Sequence, residues 1–406
     1  MSSQNNLLAE YSWIDCNLFK RILNEEHTVT SINDFDLKPA LQNGENYSSF
    51  LLRAMVKYTL NDSNEIHMKH FIIKTTLGSQ LIRSRDVFAK EIFIYKNIVP
   101  RIENILKIEN RLIQLTPKCY EGNLEKSYLI LEDMTATGFM NIDRRHGLDF
   151  ERLSLCLKML AKWHAASTKI VNDESSTIFH LYMKSHISLN GSTHYRTLFE
   201  NAISSCADAF EKNPELQTIS DKMKLMKINV FNKCCAAVLR DENGFNVLAH
   251  GDLWSNNILF NRDDDSDAQP IFIDFQVSYY GSPILDISYL LFISSNSEIT
   301  ADQFDELMSQ YFDELIEMMT KLNVSKIPNK KHLQTDFRER GCYGAFFSLF
   351  SVPMRMLDNA TNNDIKKFLS ESTEGLEFRK QLYSNEGTKT VLINLLKYFD
   401  QNGFFD

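Results

Sequence analysis

The chain has 406 residues, enough for two lobes or two domains of ordinary size, and its 44 lysines and arginines against 53 aspartates and glutamates leave a net charge of −9. That balance weighs against nonspecific nucleic-acid binding, which needs a basic face to neutralise phosphates. A hydrophobic share of 43 % beside 24 % charged residues is that of a globular chain and not of a disordered one. Met1 to Glu10 is polar and has no basic stretch followed by an apolar run, so no secretory signal is expected. The longest apolar stretch, Tyr343 to Met354, is too short to span a bilayer and contains Pro353. Seven cysteines without a C-x-x-C motif fit reduced, mostly buried thiols and a cytoplasmic location.

Leu37 to Leu41 and Ser48 to Leu60 are apolar runs joined by Gln42-Asn43-Gly44-Glu45-Asn46, a hairpin signal because Asn-Gly supplies the positive φ of a tight turn. A second turn, Asn61-Asp62-Ser63-Asn64, leads into a third strand at Ile66 to Thr75. Asp86 to Ile98 has a helical apolar period in Val87, Phe88, Ile92, Tyr95 and Ile98, and Tyr128 to Leu131 is a short strand. Strand-strand-strand-helix-strand describes an α+β lobe on an antiparallel sheet. From Phe150 the pattern turns helical. Phe150 to Ser167 carries Leu153, Leu157, Leu160 and His164 on one stripe, and Thr300 with Gln303 reads as a capping box. Asp364 to Ser384 and Thr388 to Asp400 read as further amphipathic helices. One β-like island interrupts the helices, Val247 to Phe260 and Ile271 to Phe275, and the lobe boundary is expected near Glu132 to Thr135. The domains read as 1–134 and 135–406.

The island holds the chemistry. It runs His250-Gly251-Asp252-Leu253-Trp254-Ser255-Asn256-Asn257 and closes on Ile273-Asp274-Phe275. Phosphoryl transfer needs such a set: one carboxylate, Asp252, to orient the acceptor hydroxyl and take its proton, and an amide oxygen and second carboxylate, Asn257 and Asp274, to hold Mg²⁺ against nucleotide phosphates. In the first lobe Lys74 ends the third strand, and Glu91 follows seventeen residues later on the next helix. That order suits a lysine on the α- and β-phosphates pinned by a glutamate. Gly44 sits where backbone amides would cover the phosphates, and the backbone of Glu132 to Met134 is placed to meet an adenine. Singly, Lys74 reads as a solvated charge and His250-Gly251-Asp252 as a turn. The ordered occurrence of Lys74, Glu91, Asp252, Asn257 and Asp274 is the specific signal.

These residues resemble those of the kinase-like superfamily that includes protein kinases, choline kinases and aminoglycoside phosphotransferases. The chain most closely resembles the ecdysteroid kinase-like (CHK kinase-like) family, from about Asp15 to Asp400. The matching segments are Asn43 to Ser48, Phe88 to Tyr95, Leu131 to Met134, Leu160 to Ser167, His250 to Phe260, Ile273 to Gln276 and Gly281 to Asp286. The resemblance implies a bilobal protein kinase-like fold, with a small antiparallel β-sheet N-lobe bearing one helix and a larger helical C-lobe. It also implies ATP and Mg²⁺ as cofactors and a small hydroxylated acceptor, an ecdysteroid-like steroid or a xenobiotic secondary alcohol. Neither nucleic acid nor membrane is an expected partner. His250 and Asp286 would brace the loop that carries Asp252. Departures from protein kinases point to a small-molecule kinase: Gly251 stands for their Arg, Trp254 for their Lys and Gln276 for their Gly, and Gly281 follows only seven positions after Asp274. Trp254 either packs beneath the loop or lines the acceptor pocket. The alternatives are a choline- or aminoglycoside-type kinase and a catalytically inactive pseudokinase binding module.

Other features are set aside. His67 and His70, three apart on a strand, face opposite ways, so a shared metal is not expected. Asp263 to Asp267 lacks the Gly and Glu of a calcium loop. His164 and Phe346 to Phe350 read as core. P-loop, dinucleotide, zinc-protease and nucleophile-elbow motifs do not occur.

Overall fold

A computed structural model describes residues 11–40, 50–61, 65–75, 88–107, 113–171, 185, 187–189, 193–261, 269–357 and 362–406. The chain divides into two compact units, Met1–Asn97 with Pro117–Phe139, and Ile98–Thr116 with Met140–Asp406.

The first unit opens with helix α1 (Cys16–Leu23), capped by the Asp15 carboxylate, which accepts from the Leu18 N–H at 2.8 Å. Strands β1 (Val29–Pro39), β2 (Phe50–Leu60) and β3 (Ile66–Thr75) form an antiparallel meander. Helix α2 covers 88–93, and the chain continues through a π-helical turn, Ile94–Ile98, into α3 (Val99–Ile105), which belongs to the second unit. Strands β4 (Cys119–Asn123) and β5 (Tyr128–Glu132) complete a sheet of order β1-β2-β3-β5-β4. Leu52, Ala54, Val56 and Tyr58 alternate into the core, as a strand buried on one face requires. Phe19 of α1 stacks on Phe71 of β3 at 5.6 Å, and Phe71 meets Tyr120 of β4 edge-on at 5.0 Å.

The predicted third strand has the observed bounds of β3, and the first two apolar runs pair as β1 and β2, with Leu37 opposite Ala54. The turn residues between them, Gly44 included, lie outside the described residues, as do Asp62 to Asn64, Asp86 and Val87. The strand-strand-strand-helix-strand expectation omits α1 and β4. The sequence does signal α1, by Asp15 ahead of Leu18, Phe19, Ile22 and Leu23 at helical spacing. Cys-Tyr-Glu-Gly-Asn carries no strand alternation, and β4 exists because β5 offers it a partner.

After a short β6 (Phe139–Met140), the second unit contains α4 (Phe150–Val171), α5 (Thr193–Phe210), α6 (Gln217–Met226) and α7 (Val230–Ala237). Four short strands follow: β7 (Val247–Ala249), β8 (Ile258–Asn261), β9 (Ile271–Phe272) and β10 (Tyr279–Gly281). β7 pairs with β10 and β8 with β9, both antiparallel. Then come α8 (Ile284–Ser294), α9 (Ala301–Lys321), α10 (Lys330–Arg340), α11 (Cys342–Arg355), α12 (Asn362–Leu369), α13 (Thr373–Ser384) and α14 (Glu386–Gln401). The expected capping box is formed, with Thr300 accepting from the Gln303 N–H and Gln303 accepting from the Thr300 N–H.

Helix α8 is the axis of this unit. It is apolar all round and all its residues but Tyr289 are buried. Helix α11 crosses it so closely that a Cβ on Gly344 would stand 2.3 Å from the Ser288 carbonyl carbon, so only glycine fits there. At the end of α8 the buried Arg355 guanidinium donates to the carbonyls of Ile293 at 2.6 Å and Ser295 at 2.7 Å. The single helix expected over Asp364 to Ser384 is two helices. Ser372 breaks it by capping α13 through the Gly375 N–H, and Arg379 satisfies the freed carbonyls of Phe368 and Ser370, each at 2.7 Å. No described helix is long and apolar enough to cross a membrane. All seven cysteines are free thiols, five of them buried, and burial pushes Cys342 up to about 11.

Candidate active site

In the first unit Lys74 leaves the end of β3 with its side chain 6 % exposed, against Glu91 of α2 at 1 %. The ammonium lies 2.9 Å and 2.8 Å from the two carboxylate oxygens. An ion pair this deep is weak evidence for stability, because desolvating two charges cancels most of their attraction. Its geometry holds the lysine extended. Glu132 ends β5 and Met134 opens a short 3₁₀ turn, Met134–Thr137. The N–H groups of Glu132 and Asp133 donate to the carbonyls of Lys118 at 2.8 Å and His70 at 3.2 Å, so those two donors are committed within the sheet.

In the second unit the loop over 250–257 follows β7. Asp286, in the first turn of α8, accepts from the backbone N–H of His250 at 2.6 Å and of Gly251 at 2.8 Å, both on a carboxylate that is 1 % exposed. Its oxygen also lies 3.2 Å from His164 Nε2, whose Nδ1 meets the Tyr311 hydroxyl at 2.6 Å. His164 is the buried core histidine expected, and it orients Asp286. Gly251 has φ +85°, and a Cβ there would stand 2.5 Å from the Val277 carbonyl oxygen. The position that carries Arg in protein kinases is thus closed here to any side chain.

His250 is fully buried, and burial holds its imidazole below the ordinary range. Its Nε2 donates to the Ile273 carbonyl at 3.0 Å and its Nδ1 accepts from the Asp252 N–H at 3.3 Å, the pattern of one neutral tautomer. The ring packs on Phe275 at 4.5 Å, and Phe275 packs on Trp163 at 4.9 Å. Through His250 the loop is therefore tied to the segment carrying Asp274. A second tie is the Ile273 N–H, which donates to the Asn257 carbonyl at 3.0 Å and extends the β8–β9 hairpin. Asp274 itself has φ +68°, a conformation non-glycine residues seldom adopt, held by ties on either side.

Asn257, at the end of a 3₁₀ turn (Ser255–Asn257), donates from Nδ2 to the Asp252 carbonyl at 2.8 Å and to Asp252 Oδ2 at 3.1 Å. Asp252 Oδ1 accepts from the Tyr289 hydroxyl at 2.8 Å. Burial, reinforced by the charge of Asp274, pushes the Asp252 carboxyl up to about 7, against the pull of the Tyr289 and Asn257 hydrogen bonds. Trp254 is half-buried and extended, and its carbonyl accepts from the Asn257 N–H at 2.8 Å.

The second unit thus brings together His250, Asp252, Asn257 and Asp286, with Asp274 tied alongside, and the first unit pairs Lys74 with Glu91. Gly44 and the acidic run Asp263 to Asp267 lie outside the described residues. Among the described residues no three His, Cys, Asp or Glu gather as a metal cage, His67 and His70 included. Tyr289 and Tyr311 escaped the sequence reading. Tyr289 falls three residues after Asp286 on one helix, a spacing that puts the two side chains on the same face but does not by itself set it apart from a core tyrosine.

The ecdysteroid kinase-like family model matches residues 43–324, and the chain belongs to that family. Among solved structures, the Plasmodium vivax ethanolamine kinase is similar at 15 % identity, with 88 % of this chain and 81 % of that one covered and a TM-score of 0.43. The GDP complex of wild-type aminoglycoside 2'-phosphotransferase-IIIa is similar at 13 % identity over 94 % of this chain and 99 % of that one, with a TM-score of 0.42. A choline/ethanolamine kinase family protein from Mesorhizobium loti is similar at 12 % identity over 85 % and 92 %, with a TM-score of 0.34. A comparison with curated proteins finds no match.

Proposed function

We propose that the chain is an ATP-dependent kinase that phosphorylates a hydroxyl of a small molecule, an ecdysteroid-like steroid or a xenobiotic secondary alcohol. The observation that carries this reading is the 250–257 loop. A buried carboxylate, Asp286, holds its backbone, and Asp252 and Asn257 are hydrogen-bonded to each other beside Asp274. Family membership supports the same chemistry.

In this reading Asp252 orients the acceptor hydroxyl and receives its proton. A carboxyl poised near neutrality suits a proton acceptor, and the loose transition state asks little of it until late in the transfer. Lys74, kept extended by Glu91, neutralises phosphate oxygens, amides near Gly44 cover them, and the backbone about Glu132 and Met134 meets the adenine. The donor set fits Mg²⁺. Asn257 spends its amide nitrogen on Asp252, which leaves the amide oxygen as its acceptor, and Asp274 adds a carboxylate, both hard oxygens. When bound, the ion supplies charge neutralisation for the phosphates, with Asn257 and Asp274 holding it. His250 and Asp286 keep the loop in register, and Trp254 borders the acceptor.

The test is an ADP-release screen with Mg-ATP over sterols, phenolic glycosides, alkaloids, choline and aminoglycosides. The expected result is acceptor-dependent release with uncharged hydroxylated compounds, abolished by Asp274→Asn with the fold intact. Turnover of amines alone would place the chain with choline- and aminoglycoside-type kinases. A binding module is indicated if no compound promotes release while Mg-ATP still stabilises the fold, by about 2.7 kcal/mol at a hundred times its Kd. Absence of both responses refutes the reading.

A further inference from the structure

Ten of the eleven residues of α8 are buried, and the exception is Tyr289, half-buried beside Asp252. Its hydroxyl donates to Asp252 Oδ1 at 2.8 Å, while its ring packs against Phe347 at 5.3 Å and Tyr343 at 6.2 Å, both on α11. Burial, then the negative charge of Asp252, keeps the phenol well above its ordinary range, so it remains a donor at every working pH. Helix α8 therefore grips the loop twice. Asp286 holds the backbone of His250 and Gly251, and one turn later Tyr289 holds the side chain of Asp252.

A carboxylate on a terminal sp³–sp² torsion swings broadly unless something fixes it. Here each oxygen has its own donor, Tyr289 on Oδ1 and Asn257 on Oδ2, and the plane of the group is set. The donor on Oδ1 is itself immobilised, because its ring is wedged against α11, which crosses α8 at the Gly344 contact. A hydroxyl that must meet phosphorus in line loses rate steeply when the group orienting it is misplaced. We propose that Tyr289 is a positioning residue that locks the Asp252 carboxylate in the orientation that receives the acceptor hydroxyl. This rests on the reading of Asp252 given above.

Tyr289→Phe keeps the ring and removes only the hydroxyl. Acceptor-dependent kcat is expected to fall 10- to 100-fold while the KM for Mg-ATP stays within twofold, a split that general loosening of the fold would not produce. In an Asp252→Ala background the same change is expected to alter residual turnover less than twofold. Urea unfolding of wild type, both single variants and the double variant gives a readout free of activity: Tyr289→Phe should lower the midpoint only where Asp252 is present. Unchanged kcat, or additive effects in the unfolding cycle, overturns the proposal. If the wild type turns over no acceptor, the phosphotransfer reading fails by itself, and the unfolding cycle still accepts or rejects the tie between Tyr289 and Asp252.

Discussion

Asp286 offers the sharpest test of how the site is held. Its carboxylate accepts from the His250 N–H at 2.6 Å, the Gly251 N–H at 2.8 Å and the His164 ring at 3.2 Å, and all three donors are buried. Asp286→Ala strands all three. A buried donor left unsatisfied costs about 1–3 kcal/mol, so with partial relaxation the loss is about 4–6 kcal/mol, comparable with the whole stability of many domains. Asp286→Asn is the more informative change. It keeps one acceptor oxygen but turns an NH₂ group towards a backbone N–H, and about 2–4 kcal/mol should be lost. The assay combines urea denaturation, for the global cost, with amide hydrogen exchange at residues 250 and 251. If the bracing is local, exchange there should speed about 30- to 700-fold for the Asn variant, and acceptor-dependent turnover should fall with it. Wild-type protection at both amides in a normally folded Asn variant would refute the reasoning, since the loop would then owe its shape to something other than Asp286.

Lys74→Met withdraws the cation from a carboxylate that is 1 % exposed and should cost about 2–4 kcal/mol in guanidinium unfolding. Adding Glu91→Leu should restore most of that stability but no turnover, and a double variant as unstable as the single one would contradict this. Gly251→Ala forces a side chain into φ +85° and within 2.5 Å of the Val277 carbonyl, so about 2–4 kcal/mol of stability and most turnover should go; a wild-type melting profile would count against the loop geometry. Glu103, half-buried in α3, has its carboxyl pushed up from 4.5 to about 7 by burial, against the hydrogen bond from the Leu115 N–H. A folded pKa above the unfolded one means that the stability Glu103 contributes is fully present below 4.5 and is lost as pH rises through about 7. Glu103→Gln should flatten that slope and, allowing for partial exposure, gain about 1–2 kcal/mol at pH 8, measured from urea midpoints across the pH range.

The polar groups of the candidate site were legible as residue types in the chain order that the proposed phosphoryl transfer would need, which Asp252, Asn257 and Asp274 keep within one short island. Lys74 and Glu91 were legible because a lysine after three apolar strand residues and a glutamate on the following helix are both conspicuous. Tyr289 was not, because in an apolar helix a tyrosine looks like core until its hydroxyl is seen to reach Asp252. The break at Ser370 to Ser372 was missed for a related reason: the apolar period runs on across it, and the arginine that satisfies the freed carbonyls is effective only once the chain has folded back.

What the amino-acid order determined alone was therefore local: the alternation that makes β2 and β3, the Thr300 capping box, and the residue types and spacing of the 250–257 loop. The backbone direction at Gly251 and Asp274, the burial that lifts Asp252 towards neutrality and the two-point grip of α8 on the loop were decided only by tertiary packing. Propensity and period act over a few residues. Desolvation and long-range hydrogen bonding depend on which distant segments arrive to exclude water, and in this protein those segments are α4, α8 and α11.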